Sequence, residues 1–247
     1  MKPILFQLAI GAIAFQFIAS TETPPERNTE QGLSREHYAK AKEALNRGNF
    51  KSALDFLDRA FTSGFGNPMH LIKDRGIQAL IDQPEYRGQF RQLLERHATE
   101  SHATLVRVEE PGERISVLGR ILDIRDGSPI TDASIELVHA DKNGRYFDEA
   151  SMWNPRIFAY LKSNQRGEFR IETIQPGPYL DDSGELSYSH IHFAISSMGF
   201  RTYRSEFTFE DDPVLTAQGN PDEVPIARLK SSSGKKHYQV IIRLQNN

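Results

Sequence analysis

The sequence predicts an all-β sandwich over residues 105–247, preceded by a small α-helical region over residues 34–98. Three observations carry this. The segments ISVLGRILDI, ASIELVHA, GEFRIETI, HIHFAIS, RSEFTFE and YQVIIRL are short and rich in β-branched and aromatic residues. Turn residues bound them, such as Asp126-Gly127, Asn143-Gly144 and Pro176-Gly177-Pro178. Close-set strands with turn chemistry between them build sandwiches or barrels rather than βαβ units. Before residue 105 the apolar period is helical instead.

The bulk composition narrows the function classes. A chain of 247 residues has room for one to two domains. A net charge of -3 gives no reason to expect a nucleic acid or an acidic membrane surface as partner. Cysteine is absent, which removes disulfides, thiolate metal sites and a Cys nucleophile together. No glycine-rich phosphate loop and no metalloprotease-type histidine pair is present.

The first residues differ from the rest. Lys2 precedes the apolar run ILFQLAIGAIAFQFIA, which meets a small-residue boundary at Ala19-Ser20. A basic start, an apolar centre and a small-residue exit are the parts of a secretory signal, and the run is short for a spanning helix. The expectation is a signal over residues 1–20, an exported protein (periplasmic or secreted) with no membrane segment in its mature form, and a polar linker over residues 21–33.

Helical spacing then begins at Ser34 and brings Tyr38, Ala41, Ala44 and Leu45 to one face. Gly48-Asn49 makes a turn, and a second helix carries Phe50, Ala53, Leu57 and Ala60. The spacing resembles a tetratricopeptide repeat, although one repeat is visible and about three are needed for independent stability. Two more helices are expected over residues 69–80 and 85–97, separated by Asp82-Gln83-Pro84. Such a region either offers a docking surface to a protein partner or forms a cap packed on the next domain, and the cap is the preferred reading. Residues 211–236, rich in Asp, Pro, Gly and Ser, are read as one long surface connection.

Three features of the second region carry chemistry. In a strand His190 and His192 project to one side while Ile191 and Phe193 project to the other. Two imidazoles on one face can share a metal. Tyr179 ends the stiff turn PGPY just past a strand, and Tyr146 closes the turn DKNGRY.

The order of IRDGSPITDASIELVHAD, NGRY, GEFRIETIQPGPY and HIHF resembles the intradiol ring-cleavage dioxygenases, the family of catechol and protocatechuate dioxygenases. The resemblance spans essentially the whole second region. It implies a non-haem Fe(III) centre held by Tyr146, Tyr179, His190 and His192, with Tyr179 also catalytic as the base that departs when the diol binds. The implied substrates are O2 and a small aromatic diol, cleaved between its two hydroxylated carbons. Phenolate is a hard anionic donor suited to Fe(III), whereas oxygen activators starting from Fe(II) use two histidines and one carboxylate. The sequence departs from the family at two places. Ser187 stands where many members have arginine, and Glu206 where glutamine is usual. These departures point to a substrate other than plain catechol, one with a positive group or a bulky substituent. Two alternatives stay open: an iron-containing catecholate binder with little turnover, and a metal-free transthyretin-like binding module.

Overall fold

The computed structural model describes residues 25–146, 154–181, 184–220, 223–231 and 234–247. The expected signal over residues 1–20 lies outside them. The first helix, α1 (Pro25–Asn46), starts earlier than expected and takes in most of the residues read as a linker. Proline suits the first turn of a helix, and Glu26, Arg27, Glu30 and Gln31 are good helix formers without an apolar face. Ser34 therefore sits inside the helix, where its hydroxyl donates to the Gln31 carbonyl at 3.0 Å instead of capping an end.

Helix α2 (Phe50–Thr62) follows a tight turn and packs on α1 through Ala53 and Leu57, both fully buried. The Asn49 side chain caps it by accepting from the Ser52 amide at 3.1 Å. The third expected helix is broken in two, a 3-10 turn at Pro68–Lys73 and α3 (Gln78–Asp82). Between them the Asp74 carboxylate accepts from the Gly76 amide at 2.7 Å, a local turn that competes with the helix. Helix α4 (Pro84–Arg96) closes the region.

Nine strands among the described residues form one continuous sheet folded into two layers, in the order β1-β5-β2-β9-β8-β7-β6-β3-β4. All six anticipated segments are present, as β2 (Arg114–Asp123), β3 (Ser134–His139), β5 (Glu168–Ile174), β6 (His190–Ser196), β7 (Tyr203–Phe209) and β9 (Lys236–Leu244). Three strands were not anticipated. Strand β1 (His102–Thr104) is very short, yet it pairs with β5, so the sheet begins before residue 105. Strand β4 (Ile157–Lys162) is buried on both faces and shows no polar alternation. Strand β8 (Ile226–Ser231) lies in the stretch read as one surface connection, which also holds α5 (Pro213–Gln218). There Asp212 caps α5 by accepting from the Val214 and Leu215 amides, each at 2.9 Å.

The inner faces of the two layers meet through Ile115, Val117, Ile171 and Val240 on one side and Ile135, Leu137, Ile191 and Phe207 on the other. The helices belong to the same core. Arg87 of α4 is fully buried and donates to the Ile81 carbonyl and, at 2.9 Å, to the Asn154 carbonyl. Met69 meets the Tyr160 amide on β4. The helical region thus covers the β4 edge of the sheet.

His139, at the end of β3, lies on the core side and is fully buried. Its Nδ1 donates to the Ala140 carbonyl at 2.7 Å and its Nε2 accepts from the Thr173 hydroxyl at 2.7 Å, which fixes a neutral imidazole. Burial pushes its pKa down to about 4 from 6.5. Because the folded value is depressed, the unfolded chain takes up the proton first as pH falls. Stability from this group is complete above about pH 6.5 and declines by about 3 kcal/mol as pH falls towards 4. Urea unfolding at pH 7 and pH 5 should show the lower stability at pH 5, and His139→Gln should flatten that difference. An equally steep decline in the variant would place the acid sensitivity elsewhere.

Candidate metal centre

The pleat of β6 sets the first half of the site. Ile191 and Phe193 point into the core, so His190 and His192 stand on the opposite face of their layer. Strand register adds their neighbours, with His192 opposite Glu206 on β7 and Val138 on β3. His190 is buried and His192 is partly exposed.

Two turns supply the second half. In the turn after β3 the Asp141 carboxylate accepts from the Asn143 amide at 2.8 Å and the Arg145 amide at 3.1 Å, which fixes the direction of Tyr146. The PGPY turn after β5 carries Tyr179. The two turns lie against each other, and the Gly177 amide donates to the Asp141 carbonyl at 2.9 Å. A Cβ on Gly177 would sit 2.3 Å from the Lys142 carbonyl oxygen, and one on Gly144 would sit 2.5 Å from that of Pro178. Gly144 also has φ +78°, which disfavours any other residue.

The four side chains named from the sequence converge. The Tyr146 hydroxyl lies 2.9 Å from His190 Nε2, the Tyr179 hydroxyl 3.3 Å from it, and His192 Nε2 3.2 Å from it. Neighbouring ligands of one ion, each bonded at ~2 Å, stand about this far apart. Both imidazoles are held from behind. His190 Nδ1 donates to the Tyr188 carbonyl at 2.8 Å, and His192 Nδ1 lies 3.2 Å from a Glu206 oxygen. Each Nε2 is left as the lone-pair atom at the meeting point, the usual arrangement behind a metal.

Glu206 was recognised in the sequence only as a departure, not as part of the centre. Its Oε2 is 3.7 Å from His190 Nε2, and the potential ligand atoms of His190, His192 and Glu206 all lie within 4.8 Å of one another. The period-2 facing of β7 was visible, but the β6–β7 register that sets Glu206 beside His192 was not. Ser187, the other departure, exchanges contacts with Tyr179 itself. Its amide donates to the Tyr179 carbonyl at 2.8 Å, and its hydroxyl accepts from the Tyr179 amide at 3.4 Å.

The electrostatics favour a cation at the meeting point. Burial pushes the Tyr146 phenol up, and the nearby Tyr179 and Glu206 push it further. A phenolate there therefore requires a positive charge beside it. Burial, then His190, pull His192 down, which keeps its imidazole neutral and able to ligate. The donors fit a hard, highly charged ion. A cavity of about 1030 Å³ opens over them, lined in part by Tyr146, Tyr179, His192 and Glu206.

Residues 81–224 match the family described as Dioxygenase (Dioxygenase_C). The chain belongs to that dioxygenase family. The protocatechuate 3,4-dioxygenase alpha chain of Pseudomonas putida is 28% identical to it over 153 residues, 57% of this chain and 76% of that one. The chlorocatechol 1,2-dioxygenase of Rhodococcus opacus is 31% identical over 130 residues, 46% of this chain and 50% of that one. The chain thus spans about half the length of that relative and of the catechol 1,2-dioxygenase 2 of Acinetobacter lwoffii. Among solved structures, catechol 1,2 dioxygenase of Acinetobacter radioresistens shares the fold, with a TM-score of 0.50 at 18% identity, covering 61% of this chain and 58% of that one. The tyrosine-bearing turns depend on their glycines. Gly177→Ala should leave the far-ultraviolet circular dichroism of the sandwich intact and weaken the affinity of the candidate centre for an added metal ion by roughly 10–100-fold, as displaced supporting contacts do. Unchanged affinity in the folded variant would mean that the turns need no such close approach.

Proposed function

We propose that this dioxygenase holds a non-haem ferric ion through Tyr146, Tyr179, His190 and His192 and cleaves a catechol-like ring between its hydroxylated carbons with O2. The observation that carries the proposal is the convergence of two phenol oxygens and one imidazole nitrogen, each 2.9 to 3.3 Å from His190 Nε2. Bound Fe(III) would supply Lewis acidity and a template for both substrate oxygens. His190 and His192 give neutral donors that stay in place, because the Tyr188 carbonyl and Glu206 fix their rings. Tyr146 and Tyr179 give the anionic donors. Tyr179 lines the open cavity, so its Oη is placed to take a proton from an arriving diol hydroxyl. A metal-free binding module has no use for four converging donors. Packing of the helices over β4 supports the cap reading of the tetratricopeptide-like region over a partner-docking one.

Purified protein should be red-brown with about one iron per chain, since tyrosinate bound to Fe(III) absorbs visible light, and anaerobic catechol should shift that colour. His190→Ala or His192→Ala should abolish iron binding. Tyr179→Phe should keep iron and part of the colour while slowing oxygen uptake by ~10²–10⁴-fold. A colourless protein unable to take up Fe(III) would overturn the centre, and an iron protein that binds diols without consuming O2 would make it a catecholate binder.

Export with cleavage near Ser20 is also part of the proposal, supported by the pattern from Lys2 to Ser20. N-terminal analysis of protein from its native source should find a chain starting close to Thr21. An intact Met1 on protein confined to the cytoplasm would refute export.

A further inference from the structure

The carboxylate of Glu206 stands where the donors of the centre feel its charge. One oxygen, Oε2, lies 3.2 Å from His192 Nδ1 and 3.7 Å from His190 Nε2. The second of these is the atom around which both phenols and the other imidazole gather. Register keeps the carboxylate there, since Glu206 on β7 lies opposite His192 on β6. Its side chain is 22% exposed, which limits screening by solvent.

No cation is paired with this charge. Among the described residues Glu206 forms no ion pair with a lysine or arginine, and its carboxylate meets the two imidazoles instead. The next rung of side chains on the same face, about 7 Å along the strands, holds Arg204, Ala194 and Glu136. Glu136 is itself paired with Arg91 of α4 at 2.8 Å, so those two charges cancel. The glutamine usual at this position in the family would offer His192 an acceptor of the same reach without the charge. Orienting the ring therefore does not require a glutamate.

We propose that Glu206 is a positioning residue with an electrostatic task, strengthening the preference of the centre for Fe(III) over Fe(II) beyond what a glutamine there would give. The inference rests on the ferric reading of the metal centre. A carboxylate that accepts from one imidazole nitrogen makes the other a stronger donor to a metal. Its negative charge also stabilises an ion in proportion to that ion's charge, so the ferric state gains more than the ferrous. Aromatic diols are reductants. A centre that has to stay ferric beside one gains from a fixed charge that opposes its reduction.

The test compares the native protein with Glu206→Gln, which keeps the acceptor and removes the charge. Affinities for added Fe(III) and Fe(II), the reduction potential and the visible spectrum are measured without any diol. Glu206→Gln should lose roughly tenfold of the preference for Fe(III) over Fe(II), which raises the potential by about 60 mV for one electron. The tyrosinate-to-iron absorption should move to longer wavelength, because a more easily reduced ion accepts the electron at lower energy. Loss of Fe(III) with Fe(II) retained would be the same effect taken further. An unchanged potential and spectrum in the iron-loaded variant, or an equal loss of both ions, would reduce Glu206 to a ring-orienting residue and overturn the proposal while leaving the metal centre standing. Failure of the native protein to take up iron would bring down the metal centre and this inference with it.

Discussion

Two tyrosines on separate turns can meet the same pair of histidines only because the backbones of those turns touch. The contact runs through Gly144 and Gly177, where a side chain would overlap a carbonyl of the opposite turn. The Gly177 amide bonded to the Asp141 carbonyl fixes the spacing. Each turn alone could place a phenol anywhere along an arc. Pressed together they leave one arrangement, in which both hydroxyls reach His190 Nε2. The rest of the centre inherits its position from this contact and from the pleat of β6.

That pleat ties the site to the core. Ile191 and Phe193 anchor β6 from inside, so the histidines cannot rotate to the other face without exposing buried apolar surface. Their rings are then fixed by hydrogen bonds behind them, one to a backbone carbonyl and one to Glu206. A carboxylate in that place works through an imidazole and does not stand as an isolated charge over the cavity.

The helices take part in the site as well as in the core. Arg87 ties α4 to the backbone around Asn154, and Arg91, one turn further on, forms part of the cavity wall beside Glu136. Part of the cavity wall is therefore built by a segment distant in sequence from every proposed ligand. Mutations in α4 would reach the cavity through this wall rather than through the proposed ligands.

Much of this was legible in the sequence, because much of it is local. Alternation within HIHF determines that His190 and His192 share a face, and turn chemistry determines that Tyr146 and Tyr179 end tight loops. Six strands announced themselves by β-branched and aromatic residues between turns. What stayed hidden was non-local or lacked a period. Strand β4 is apolar on both faces, β1 is too short to show a pattern, and β8 is half polar within a loop-like stretch. Helix α1 reached back to Pro25 because helix-forming polar residues need no apolar stripe. The pairing of Glu206 with His192, the contact between the two turns and the pairing of Arg91 with Glu136 were decided only by the tertiary structure. Side-chain facing is a property of one strand, whereas register and layer packing depend on which segments come together. The sequence thus determined the kinds of donor and the faces that bear them, and the fold decided their distances and the charges that surround them.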